Sequence, residues 1–449
     1  MPPLELPRVS MAAEQAAQVE DPQHRDQGRR ALRAAMFGFF VDMYDVYLPV
    51  IALAPAISYF AATGASAVQL ATLTAAIFAV SLVGRPLGAI VFGAMGDRAG
   101  RRRTTILVAG GFAVCTGLIA VLPGYATIGV WAPVLLVLLR LLDGVFLGGE
   151  YTAANPLAME YAPTHRRGVY GSLLNVGYPT ALAVITLLTL VLLRLVPASG
   201  PDSAYVVWGW RIPFALGFVL SAAVFGYYLR SVPESELWTR MAKQRRPLRT
   251  LFSGRHLRSV GLAFLVGTGA WLTLDATVGV FASHFKALGS AAGVVNGAIL
   301  LAAVVAIPLF PLVGAAGQRF GRRQLFLVLG ALNVVAGPIL LGVAVAGARS
   351  TGPVLVCGGL ALLLSLLVWA VISAYLMEMF PTEIRSSGYG IAYSLPSVIP
   401  AFYPYYLIAL SGLLPYRYTP LVLLAIGGLF LICGSWLSRD LRQVDLANA

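Results

Sequence analysis

Histidine, cysteine and lysine are all scarce in this sequence, and each shortage excludes something. The four histidines, His24, His165, His256 and His284, are scattered with no metal-ligand spacing. The three cysteines, Cys115, Cys357 and Cys433, each stand alone in a separate apolar stretch, which excludes a disulfide framework and a zinc site. They read as small core residues. No nucleophile, metal cluster or nucleotide loop is present, so an enzyme is not expected and no cofactor is implied. Charge is scarce as well: 11% of residues are charged against 58% hydrophobic, with a mean hydropathy of +0.80. That balance describes a polytopic membrane protein and excludes an ordinary soluble domain of this length.

Only Lys243 and Lys286 are lysines among 32 basic residues, and the formal net charge is +13. An arginine excess of this kind fits coding bias better than nucleic-acid binding. Its distribution is informative. Residues 1–32 carry acids, Gln, Pro and Arg without an apolar run, which argues against a signal peptide and for a disordered cytoplasmic tail. Twelve apolar segments follow, at about 34–59, 67–95, 104–122, 131–152, 168–194, 211–230, 258–284, 292–315, 324–346, 353–378, 387–412 and 418–438. Each is long enough to span a bilayer. With the N-terminus inside, 25 Lys/Arg fall on the cytoplasmic side, 5 outside (Arg194, Arg211, Lys286, Arg349, Arg417) and two, Arg85 and Arg140, within helices. This is a positive-inside pattern.

The one long internal loop, 231–257, divides the chain into six-helix halves at 33–230 and 258–438, with a cytoplasmic tail at 439–449. Repetition supports the division. GDRAGRR at 96–102 recurs as GQRFGRR at 317–323, and MEYAPTHRRGVYG at 159–171 matches MEMFPTEIRSSGYG at 377–390. The expected fold is all-α, with twelve transmembrane helices in two pseudo-symmetric bundles and both termini cytoplasmic. Two repeated bundles with a site between them are a transporter architecture.

These motifs resemble the major facilitator superfamily over residues 34–440. Within it, VDMYDVYL in the first helix, GRPLGA in the second, and RLLDGVFLGGEY in the fourth followed by EYAPTHRRG resemble the metabolite:H+ symporters and their sialate and aromatic-acid relatives. That group commonly has Gln where this chain has Asp143. The fifth helix lacks the Gly-Pro-rich signature of drug/proton antiporters. The seventh lacks the sugar-porter pattern, although PESELW after the sixth helix resembles the sugar-porter linker. The resemblance implies alternating access driven by a proton gradient, in the cell membrane.

The deep polar residues are the candidates for chemistry. Arg85 lies eleven residues before Gly96, about 16 Å of helix, which places it near mid-membrane. A guanidinium there marks a functional site unless it is a helix-packing salt bridge. Asp42 and Asp45 project from nearby angles of one helix, and two carboxylates this close in low dielectric resist being ionised together. They are expected to carry the coupled proton, with Arg140 and Asp143 (i, i+3 in the fourth helix) and Asp275 in the seventh. Mutual neutralisation of Arg140 and Asp143 is the plainer alternative. Arg85 and Arg140 compete for an anionic substrate, since guanidinium suits a carboxylate. Tyr44, Tyr47, Trp271, Trp369, Ser373 and Tyr393 are expected to line the cavity.

A third group sits at cytoplasmic helix ends: Asp97, Arg98, Arg101, Arg102, Glu150, Glu160, Arg166, Arg167 and Glu234, repeated in part by Arg319, Arg322, Arg323, Glu378 and Arg385. Such ion pairs can latch one side of a transporter. Gly84 and Gly88 form a small-residue face, expected where the second and eleventh helices meet, and Pro396, Pro400 and Pro404 favour bends in the eleventh. The expected function is import of a small organic anion, a mono- or dicarboxylate, with protons, by a monomer in the lipid bilayer. Export of a drug or metabolite by proton antiport is the alternative.

Overall fold

The computed structural model describes residues 22–232, 234, 239 and 247–443. The expected tail before residue 22, most of the 231–257 linker and residues 444–449 therefore lie outside the described residues. Among the described residues twelve long helices follow: α1 (Asp26–Phe60), α2 (Thr72–Ala99), α3 (Arg101–Ala120), α4 (Trp131–Glu160), α5 (Thr164–Leu195), α6 (Tyr205–Ser231), α7 (His256–Ala287), α8 (Ala292–Phe320), α9 (Arg322–Ala346) and α10 (Thr351–Glu378), then α11, and α12 (Tyr416–Leu437). α11 is built from four pieces, Arg385–Ser394, Leu395–Ser397, Val398–Ala401 and Tyr403–Leu410. Eleven of the twelve are long and apolar enough to cross a membrane unbroken; α11 is interrupted because Pro396, Pro400 and Pro404 each remove a backbone donor.

The first helix begins at Pro22, inside the stretch expected to be disordered. Asp26 and Arg30 pair one turn apart at 2.7 Å, Ala31, Ala34 and Ala35 are buried, and Gly28 packs on Tyr161. Residues 22–32 thus extend α1 below the membrane rather than forming a tail. Near its outer end, α1 loosens into a π-helical turn at Leu48–Leu53 and a 3-10 segment at Ala54–Phe60, where Pro49 and Pro55 cannot donate. The helix leading into α2 starts on a capping box, Ser66 Oγ accepting from Gln69 N and Gln69 Oε1 from Ser66 N.

Each half packs its own six helices, and the halves meet where α2 touches α11, α5 touches α8 and α10, and α4 touches α11. Outward faces are apolar, as Leu87, Val91, Val114, Leu301, Val328 and Ile339 illustrate, while charged and hydroxyl side chains turn inward. Gly84 and Gly88 do not face α11. A Cβ on either would strike the backbone of Leu141 or Val145 in α4, and Gly144 and Gly148 of α4 press on Ser81 and Arg85 of α2 in return. The small residues thus bring two backbones of one half together. α2 and α11 meet at other positions, below where Gly93 and Gly96 face Ser387 and Ser386, and above where Ser397 Oγ donates to the Leu82 carbonyl at 3.5 Å.

Candidate functional site

The α2–α4 crossing places three polar helices side by side, and the deep charges sort into two groups. Arg85 of α2 binds Asp42 of α1 through Nη2 to Oδ1 at 2.7 Å, both fully buried. Arg140 of α4 binds Asp45 Oδ2 at 2.7 Å and lies 2.9 Å from Asp143 Oδ2. Thr116 of α3 donates to Asp45 Oδ1 at 2.8 Å. Asp42 and Asp45 therefore do not face each other over one proton: each has its own arginine. Arg140 is enclosed by α1, α2 and α3 and held by two carboxylates, which makes it a poor match for its expected role in substrate recognition. Arg85 differs. Its Nε and Nη1, and Asp42 Oδ2, meet no partner among the described residues, against Nε alone on Arg140.

Aromatic rings surround Arg85. Its guanidinium lies 5.7 Å from the Tyr151 ring and 5.9 Å from Trp271, within cation–π range. Trp271, Trp369 and Tyr393 pack edge to face with centroids 4.6 to 6.0 Å apart, and Tyr151 stands 4.4 Å from Tyr393. Tyr178 joins Trp369 to Tyr47, whose hydroxyl bonds that of Tyr178 at 2.9 Å. Trp271 Nε1 donates to the Tyr393 carbonyl, leaving Trp369 Nε1 and Tyr393 OH without partners among the described residues. Asp275 sits in a π-helical turn of α7, near Tyr47, Tyr178 and Tyr403, with Oδ2 unpartnered. Tyr44 points elsewhere, donating to the Pro213 carbonyl inside the first half.

Beneath the rings, toward the cytoplasm, polar side chains stitch the halves together. Asn155 donates to Tyr389 OH at 2.8 Å, Ser373 Oγ bonds Tyr389 OH and Asn175 Oδ1 at 2.9 Å each, Asn175 Nδ2 donates to the Trp369 carbonyl, and Tyr151 pairs with Ser394. Ser373 is thus a floor residue rather than a free ligand donor. Sequence reasoning named it but missed Tyr151, Asn155, Asn175, Tyr178 and Tyr389. Two asparagines inside apolar helices were the available signal.

Lower still lies the latch. Asp97 of α2 accepts from Ser386 N (3.1 Å), Ser387 N (2.9 Å) and Ser387 Oγ (2.6 Å), capping the first piece of α11 across the seam. Glu160 pairs with Arg101 of its own half and with Arg385 of the other, the latter at 2.7 Å. Arg101 also reaches the Thr382 carbonyl at 3.1 Å. In the second copy, Arg322 binds Glu378 at 2.8 Å and Gln318 Oε1 at 2.8 Å, and Gln318 Oε1 accepts Gly168 N across the seam at 2.9 Å. Arg167 is an electrostatic neighbour of Glu378.

Other expected gating residues lie apart from the latch. Glu234 caps α3 by accepting Arg101 N and Arg102 N, and Arg102 binds the Val232 and Leu229 carbonyls, so both fasten α3 to α6 within one half. Arg98, Arg166 and Arg319 are exposed, and Arg323 is half-buried; none makes the latch bonds just described. Glu150 is fully buried inside the first half, above the latch. Among the described residues no group of three or more His, Cys, Asp or Glu is placed to hold a metal ion.

A family model described as "Sugar (and other) transporter" matches residues 31–255. The inner membrane metabolite transport protein YhjE of Escherichia coli is 32% identical over 85% of this chain and 87% of its own length. The alpha-ketoglutarate permease of the same organism is 31% identical over 82% and 84%. The proline/betaine transporter of Salmonella typhimurium is 31% identical over 84% and 76%. Among solved structures, the major facilitator superfamily proton:xylose symporter XylE superposes with a TM-score of 0.73 at 18% identity, over 92% of this chain and 95% of that one. The fold is shared at that distance. With a family match across half its length and relatives of this identity along most of it, the chain belongs to the sugar (and other) transporter family of the major facilitator superfamily, as a multi-pass transporter of the cell membrane.

Proposed function

We propose that this transporter imports a small organic anion, a mono- or dicarboxylate, together with protons by alternating access, as a monomer that needs no cofactor beyond the proton gradient. The observation that carries the reading is Arg85: a mid-membrane guanidinium, fully buried, with Nε and Nη1 unpartnered and aromatic walls around it. The physical step is an exchange of partners. While Asp42 is ionised it holds Nη2 and competes with any incoming carboxylate for the same cation. Protonation of Asp42 removes that competition and frees the guanidinium fork for a bidentate substrate. Proton and anion then bind cooperatively, because each favours the arrangement the other needs. The human organic anion transporter MFSD10 has the same fold, with a TM-score of 0.64 at 16% identity, and one relative is named an alpha-ketoglutarate permease.

A thermal-shift screen of the purified protein against a carboxylate library, at two pH values, tests this. Hits are expected to stabilise the wild type more at the lower pH, and Arg85→Gln is expected to weaken them at least tenfold, about 1.4 kcal/mol. Hits that persist unchanged in Arg85→Gln would remove Arg85 from recognition. In proteoliposomes, uptake of every hit unaffected by an inside-alkaline gradient would remove proton coupling.

One observation favours a second reading. Asp275 presents an unpartnered oxygen near Tyr47, Tyr178 and Tyr403. A carboxylate beside aromatic faces suits a cationic group, so the substrate would be a zwitterion with its carboxylate on Arg85. One relative is named a proline/betaine transporter. Zwitterionic hits lost in Asp275→Asn, with simple carboxylates unbound, would favour this reading over the first.

A further inference from the structure

Glu150 is the one expected gating residue that the fold carries into the interior of the first half, and the reading of proton coupling leaves it without a task. It lies on α4, ten residues above Glu160 of the latch, and its side chain runs against α1 at Gly38. Any Cβ at position 38 would overlap Glu150 Oε1, and would stand 3.5 Å from the hydroxyl of Tyr228 on α6. Gly38 is therefore the opening that admits the carboxyl. Both carboxyl oxygens and Tyr228 OH are buried, and none has a hydrogen-bond partner among the described residues. The titratable and charged groups that face Glu150 are Asp42 of α1, Arg85 of α2, Tyr228 of α6 and Tyr389 of α11. Asp42 follows Gly38 by four residues, about 6 Å of helix.

The two carboxyls, one set against Gly38 of α1 and the other borne by α1 one turn further on, thus have opposite surroundings. Asp42 lies 2.7 Å from a guanidinium nitrogen, an arrangement that stabilises the anion. Among the described residues Glu150 makes no ion pair and no hydrogen bond, and an unpaired carboxylate in such a place is far more costly than a neutral acid.

We propose that Glu150 is a second proton-holding residue, which takes the coupled proton from Asp42 and releases it to the cytoplasm when the latch opens. The proposal rests on the proton-coupled reading above. The step balances simply: the Asp42 O–H bond breaks, an O–H bond forms on Glu150, and the new Asp42 carboxylate is neutralised by Arg85. On opening, the proton leaves Glu150 for cytoplasmic water, with the Tyr228 hydroxyl beside it as a hydrogen-bonding stepping point. The arrangement seen here is the one after the first transfer and before the second.

Infrared spectroscopy of the full-length protein in lipid vesicles tests this without knowledge of the substrate. The wild type should show a protonated-carboxyl band that is missing in Glu150→Gln, and Glu150→Asp should shift the band if the glutamine variant does not fold. Because the latch separates Glu150 from the cytoplasm, exchange of that proton for deuterium should be at least tenfold faster in Asp97→Asn than in the wild type. No band belonging to Glu150, or equal exchange with and without Asp97, would overturn the proposal. Failure of the organic-anion reading would show elsewhere, as wild-type uptake indifferent to a pH gradient, and would leave the band in place.

Discussion

The loops after α2 and after α8 share a backbone, with Gly100 at φ 112° and Gly321 at φ 107° in equivalent positions, yet the residue that reaches across the seam is a carboxylate in one and an amide in the other. Both cap the start of a helix in the opposite half. Asp97 takes three donors at α11 and adds its charge to the positive end of that helix, whereas Gln318 takes one backbone donor at α5 and carries no charge. The clusters behind them are alike: Arg101 and Arg385 of the other half share Glu160, and Glu378 pairs with Arg322 and has Arg167 of the other half as an electrostatic neighbour. A repeated motif with one backbone geometry therefore gives two fastenings of unequal strength.

Three substitutions break or sharpen the comparison. They are best read as distances between spin labels placed at the exposed positions 98 and 319 in the two halves. Glu160→Gln should have the largest effect, because it leaves two buried arginines without their carboxylate; about 3–5 kcal/mol is expected against the closed state. Unchanged label distances would show that the Arg–Glu–Arg cluster does not fasten the seam. Asp97→Asn follows at about 1.5–3 kcal/mol, the range for hydrogen bonds to a charged group, and should visibly broaden the distance distribution. Gln318→Ala should be mildest, about 1 kcal/mol, since the bonds it removes across the seam, to Gly168 N and the Thr164 carbonyl, are neutral, and its one charged contact, with Arg322, lies within the same half. If Gln318→Ala opened the protein as far as Asp97→Asn, charge would not be what separates the two fastenings.

Much of this was legible in the residues themselves. The twelve segments follow from bilayer thickness, the halves from the paired motifs, and the inward-facing burial of Arg85 from the cost of a deep guanidinium. What escaped were relations that depend on rotation about helix axes and on neighbours far along the chain. Asp42 and Asp45 look like one pair in sequence, but Arg85 and Arg140 approach from different helices and separate them. Tyr44 sits among cavity candidates in VDMYDVYL, yet its turn of α1 faces Pro213. Gly84 and Gly88 announce a close helix contact without saying which helix, and that helix is α4. The start of α1 escaped for another reason: residues 22–32 are polar enough to look like tail, and only docking against Tyr161 and the buried alanines gives them a helix to join.

The interrupted α11 gives the seam unlike edges. α2 stays one continuous helix through Pro86 to Ala99, braced along α4 by glycine contacts, so whatever moves Asp97 also moves Arg85. Its neighbour across the seam is jointed at Leu395–Ser397 and again at Phe402, between the aromatic ring at Tyr393 and the outer end. Mechanically, this is a stiff lever working against a hinged one. Strain from substrate entering beside Tyr393 would be absorbed at the joints before reaching the outer surface. Stiffening them, for instance with Pro400→Ala, should therefore slow the cycle more than it weakens binding.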